Sequence, residues 1–165
     1  LLSLRKELGV FANLRPVRVH QALHPYSPLK SERLRGVDLV VVRELTGGLY
    51  FGQPKQREST DLGDRAVDTL DYTEHEIRRV VRLACKLATQ RSGRVTSIDK
   101  ANVLETGQLW RDVANSVAKE FPVVQLEHQL VDAAAMRLMT SPSAFDVIVT
   151  SNMFGDILTD EASVP

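Results

Sequence analysis

Apolar positions along the chain fall into two rhythms. Residues 37–42 (Val-Asp-Leu-Val-Val-Val) form an almost continuous β-branched run, the pattern of a strand buried on both faces, and Arg43 stands where it ends. Residues 145–149 form a second apolar run. Residues 94–98 alternate toward a strand, and Leu126, His128 and Leu130 alternate with Glu127 and Gln129. Between these runs the period changes to that of a helix. Ile77, Val80, Val81, Ala84, Leu87 and Ala88 make one stripe, opened by Thr73 and Glu76 at capping-box spacing. Trp110, Val113, Ala114, Val117, Ala118 and Phe121 make another. Strand alternating with helix predicts an α/β layer structure, a largely parallel sheet flanked by helices.

The first half is less regular. Leu1, Leu4 and Leu8 at helical spacing, followed by Gly9, read as the tail of a helix. Residues 11–19, containing Pro16, read as a strand entering a loop, and 20–35 as connection. Gly47, Gly48, Gly52 and Pro54, with a polar stretch over 55–64, predict turns, a hairpin or a protruding arm at about 49–72. The chain starts at Leu1 without a Met and stops at Pro165, just after what reads as the first turns of a helix. The expectation is an internal piece of a longer protein. Residues 1–10 would end a helix of a truncated first domain, 11–162 would form a central domain, and 163–165 would begin a return to the first.

Composition narrows the partners. With 165 residues, 43% hydrophobic, the chain can bury one core. Its 21 Lys and Arg balance 21 Asp and Glu, so no net field favours nucleic acid or an anionic membrane surface. The lone Cys85 allows neither an internal disulfide nor a thiolate zinc site, which suits the cytoplasm. No apolar run reaches the roughly 18 residues of a membrane span. The 4 histidines show no metal-ligand spacing, and no phosphate-cradling glycine motif occurs.

Several residues could carry chemistry. Asp132 follows one predicted strand; Asp156 and Asp160, one helical turn apart, follow another. Three hard oxygen ligands of this kind suit Mg or Mn. The same residues also suit the first turns of helices, where the macrodipole favours acids, so spacing leaves both readings open. Arg5, Arg15 and Arg43 lie at element ends and could clamp a dicarboxylate through paired hydrogen bonds; separate surface arginines are the plainer reading. Tyr50, after a glycine turn, and Lys100, after a strand, stand where side chains enter a cleft and could transfer protons. A packed Tyr and a surface Lys are the alternatives.

Four segments in order resemble one family, the β-decarboxylating dehydrogenases. They are Phe11-Ala12-Asn13-Leu14-Arg15-Pro16, the stretch 42–52 (Val-Arg-Glu-Leu-Thr-Gly-Gly-Leu-Tyr-Phe-Gly), Asp99-Lys100-Ala101-Asn102-Val103-Leu104, and Asn152-Met153-Phe154-Gly155-Asp156 with its continuation to Ser163. The stretch Glu44-Leu45-Thr46-Gly47-Gly48 resembles the isopropylmalate branch, whereas isocitrate, homoisocitrate and tartrate relatives tend to carry Glu-Asn-Ser or Glu-Asn-Thr followed by an acidic residue. Ala133 departs from the frequent Asn at that point of the pattern. The resemblance implies oxidative decarboxylation of 3-isopropylmalate with reduction of NAD, in leucine biosynthesis. It implies that Arg5, Arg15, Arg43 and Asp132 hold the substrate, that Asp132, Asp156 and Asp160 bind Mg or Mn, and that Lys100 and Tyr50 move protons. Asn102 and Asn152 become candidates for the cofactor. It also implies a homodimer with shared sites, in which Lys100 and Asp132 complete the partner's site. A non-catalytic dimerising, acid-binding module is the reading from another class.

Overall fold

In the computed structural model, residues 4 and 7–163 are described, apart from the side chain of Leu23. Five strands, β1 (Ala12–Arg18), β2 (Asp38–Glu44), β5 (Arg94–Asp99), β6 (Gln125–Leu130) and β7 (Val147–Thr150), form one sheet in the order β1-β2-β7-β5-β6. Strands β2, β7, β5 and β6 run parallel, and β1 joins β2 antiparallel, with Asn13 opposite Arg43 and Arg15 opposite Val41. Pro16 fits because β1 is an edge strand with one side unpaired.

Two cores explain the apolar runs. Val40, Val42, Val147 and Val149 face α1 (Glu74–Thr89) and α2 (Glu105–Ala118), whereas Leu39, Val41 and Ile148 face α3 (Val131–Thr140) and α4 (Asn152–Ala162). Alternate residues of β2 therefore feed opposite layers, and a run with no polar gap is what a two-sided strand requires. Trp110 of α2 is buried with its indole N–H donating to Ser97 Oγ at 3.1 Å, and it meets the Tyr72 ring edge-on at 5.7 Å.

Strands β3 (Gln56–Thr60) and β4 (Gly63–Val67) pair only with each other, as a hairpin whose side chains are nearly all exposed. This is the hairpin form of the anticipated arm. Residues 20–35 hold more structure than a plain connection: a 3-10 segment (Gln21–Tyr26) and one helical turn (Ser31–Leu34) that buries Leu34. Helix α3 had one start signal, the acidic Asp132 in its first turn, and no capping side chain. Its N-cap, Leu130, is the last residue of β6 and offers no side-chain cap, so strand passes into helix without punctuation.

Helix α1 begins as its sequence predicts. Thr73 Oγ1 accepts from the Glu76 N–H at 3.3 Å, and the Glu76 carboxylate accepts from the Thr73 N–H at 2.8 Å. Substituting Thr73→Ala removes half of this box and is expected to cost about 1 kcal/mol, read as a lower urea midpoint of the full-length protein with an unchanged denaturant slope.

Candidate functional site

The four parallel strands end along one side of the sheet, where open α/β sheets hold ligands. Arg43 is near the end of β2, Asn152 follows β7, Lys100 follows β5 and Asp132 follows β6. These side chains form two clusters.

The first surrounds Arg43, which is only 5% exposed. Its Nε and Nη2 donate to Asn152 Oδ1 at 3.2 and 2.9 Å, and its Nη1 pairs with Asp156. The Tyr50 hydroxyl donates to Asp156 Oδ2 at 2.6 Å, and the Tyr50 ring lies 5.6 Å from the guanidinium carbon. That bond to Asp156, with burial second, raises the Tyr50 pKa above its ordinary 10.0, so the phenol is neutral at physiological pH. Gly155 lets α4 pass against Arg43: a Cβ there would lie 2.5 Å from Arg43 Cγ.

Behind this cluster is Glu44, fully buried. Its carboxylate accepts from the Thr46 N–H at 2.7 Å, the Gly47 N–H at 2.9 Å and the Tyr72 hydroxyl at 3.3 Å, with an Arg79 nitrogen 3.8 Å away. These bonds fix the turn that leads to Tyr50. Tyr72 in turn accepts from the Asn152 backbone N–H at 2.9 Å.

The second cluster is Lys100 with Asp132, Nζ to Oδ1 at 2.8 Å. The ammonium holds the exposed Asp132 carboxyl below its ordinary pKa. The turn carrying Lys100 is anchored by buried Asp99, which accepts from the Ala101 N–H at 2.9 Å and takes two bonds from Arg111 at 2.8 and 3.0 Å. Gly107 permits the close approach of α2, since a Cβ would lie 2.8 Å from the Ala101 nitrogen. Asn102 and Val103 are exposed on the same turn.

The structure therefore gathers Arg43, Tyr50 and Asp156 in one place and Lys100 with Asp132 in another. Arg15 is exposed on the edge strand. Its register opposite Val41 puts it on the same face as Arg43, one diagonal step away. Arg5 lies outside the described residues. Asp160 is exposed one turn beyond Asp156. Asp132 stands in the first turn of α3, just beyond β6, and β7 and β5 separate that strand from β2. Three strand spacings amount to about 14 Å. Accordingly, among the described residues no group of three His, Cys, Asp or Glu could hold one metal ion.

The Asn152 side chain is fully buried, with its oxygen taken by Arg43 and its amide donating to the Gly47 carbonyl at 3.2 Å. Sequence reasoning passed over Glu44, Tyr72, Asp99 and Arg111. The local signal was the placement of charge, Glu44 and Asp99 being carboxylates at the last positions of β2 and β5.

Together these features define a mainly parallel α/β domain with paired cations and carboxylates beyond its strand ends. The family model described as isocitrate/isopropylmalate dehydrogenase matches residues 1–165, and the chain belongs to that family. Similar proteins include the 3-isopropylmalate dehydrogenase of Anaeromyxobacter dehalogenans, 65% identical over 99% of this chain and 46% of its own length. That of Bacillus subtilis is 61% identical over 99% of this chain and 45% of its own length. The chain thus spans a little under half the length of these relatives. Among solved structures, isocitrate dehydrogenase from Methylococcus capsulatus superposes with a TM-score of 0.86 at 34% identity, covering 98% of this chain and 46% of that one.

The contact at Gly155 is directly testable. Gly155→Ala is expected to cost about 1–3 kcal/mol by overpacking against Arg43. The same change in an Arg43→Ala background is expected to cost clearly less. Equal losses in both backgrounds, measured by chemical unfolding of the full-length protein, would show that the two residues do not share space.

Proposed function

We propose that the whole protein oxidises and decarboxylates 3-isopropylmalate to 4-methyl-2-oxopentanoate and carbon dioxide, with NAD as oxidant, in leucine biosynthesis. The observation that carries this is the buried Arg43 of the isopropylmalate-like segment, turned by Asn152 and Asp156 toward the strand ends. Relatives 56–65% identical to the chain are named 3-isopropylmalate dehydrogenase, which supports the same substrate.

In this reading Arg43 and Arg15, with Arg5, bind the two carboxylates. A guanidinium keeps its charge and offers paired donors, so it orients a dicarboxylate without taking part in proton transfer. Lys100, held by Asp132, would promote deprotonation of the substrate hydroxyl by placing its positive charge beside the developing alkoxide. Tyr50, kept neutral by its bond to Asp156, returns a proton to carbon once carbon dioxide has left. The donor set of Asp156 and Asp160 on one helix, with Asp132, is all hard oxygen and fits a cation such as Mg or Mn. When bound, that ion would supply Lewis-acid polarisation of the C2 oxygen, and NAD, for which Asn102 is a candidate contact, would supply the hydride acceptor.

Separation of Asp132 and Lys100 from Asp156 within one chain supports a homodimer in which a second copy brings the first pair to the second. Helices α3 and α4 offer exposed Met136 and Ile157 for such an interface, and the arm presents Leu62, fully exposed. No helix among the described residues is long and apolar enough to cross a membrane, in keeping with a cytoplasmic enzyme.

The test is an assay of the full-length protein with isopropylmalate, isocitrate and tartrate, each with NAD and NADP, with and without Mg or Mn. NADH formation from isopropylmalate, abolished by a chelator, is expected; preference for isocitrate or tartrate would overturn the substrate assignment. Tyr50→Phe and Lys100→Met are each expected to lower kcat by about 10²–10⁴-fold with the fold intact by circular dichroism.

A further inference from the structure

We propose that Asn152 is the positioning residue of the carboxylate clamp, and that it acts on substrate only through Arg43. This deepens the function proposed above and rests on Arg43 being a substrate ligand.

The geometry is side-on. A single oxygen, Asn152 Oδ1, takes both Nε–H and one Nη2–H of Arg43, while Nη1 pairs with Asp156. A guanidinium has five N–H donors. Three go to Asn152 and Asp156, and the other two are on the terminal nitrogens, the atoms from which a guanidinium makes a two-pronged contact with a carboxylate. Rotation of Arg43 about its last bonds would break that arrangement, and Asn152 is what opposes rotation from the Nε side.

Asn152 is itself fixed by its amide nitrogen and by its backbone N–H. Its amide nitrogen donates to the Gly47 carbonyl at 3.2 Å, which settles which end of the amide faces Arg43. Its backbone N–H donates to the Tyr72 hydroxyl, and that hydroxyl donates to the fully buried Glu44. The aim of the guanidinium is thus inherited from a network rooted in the core. No atom of the Asn152 side chain reaches solvent, so the residue does not touch substrate.

The test uses the full-length enzyme. Asn152→Ala is expected to raise KM for isopropylmalate about tenfold or more, the scale of one lost hydrogen bond to a charged group, with kcat and KM for NAD each changed less than threefold. The discriminating measurement is a double-mutant cycle: in an Arg43→Lys background, Asn152→Ala should add no further loss. Unchanged KM in a folded Asn152→Ala variant, or losses that multiply independently in the cycle, would overturn the proposal. Should Asn152→Ala fail to fold, Asn152→Ser, which keeps a hydroxyl near Gly47 but is too short to bridge both Arg43 nitrogens, takes its place with the same expectations. If wild-type enzyme prefers another 2-hydroxy dicarboxylate, the substrate assignment fails by itself, and the cycle is read with that substrate.

Discussion

A positive charge taken out of water is the constraint on which the site depends. Arg43 is 5% exposed, and leaving such a group without partners would cost several kcal/mol. The chain answers with an amide oxygen from Asn152, a carboxylate from Asp156 and a glycine at 155 that lets the helix come close enough to supply both. Its neighbour in sequence, Glu44, is buried completely. Because successive strand residues point to opposite faces, the two charges cannot neutralise each other and each needs its own network. Arg43 turns to α4, Glu44 to Thr46, Gly47 and Tyr72. Asn152 and Tyr72 join the two networks across the end of the sheet.

The order of the sheet then decides what one chain can do. Because β7 and β5 lie between β2 and β6, the Arg43 cluster and the Lys100–Asp132 pair are held on separate strands of a rigid frame. Ordinary side chains cannot span that separation. The exposed apolar residues Met136 of α3 and Ile157 of α4 stand on the same helices as Asp132 and Asp156.

Much of the fold was legible because it follows from periodicity. The unbroken run before Arg43 announced a strand feeding two cores, and the Thr73–Glu76 spacing announced the start of α1. What stayed hidden was structure without local punctuation. Helix α3 begins directly from a strand residue with no capping side chain, and the one-turn helix Ser31–Leu34 is too short to show a stripe. In the site, residue types marked Arg43, Tyr50 and Asp156, but not their meeting, since Asp156 is 113 and 106 residues away from the other two along the chain. Asn152 became a cofactor candidate through the family resemblance, which carries no information on which way its side chain points. Only the crossing of β2 and α4 shows that it faces inward.

Both clusters use the same device to place a cation. Beneath Arg43 the α4 backbone passes at a distance that Gly155 alone permits; beneath the turn carrying Lys100 the α2 backbone does so through Gly107. A methyl group at either position would meet atoms well inside contact distance, the Arg43 stem in one case and the Ala101 backbone in the other. A long flexible side chain can adjust to a displaced partner, whereas close-packed backbone cannot. Residues with no functional group therefore set where the functional groups stand. It follows that the precision of this site is a property of helix-to-sheet packing first, and of its charged side chains only second.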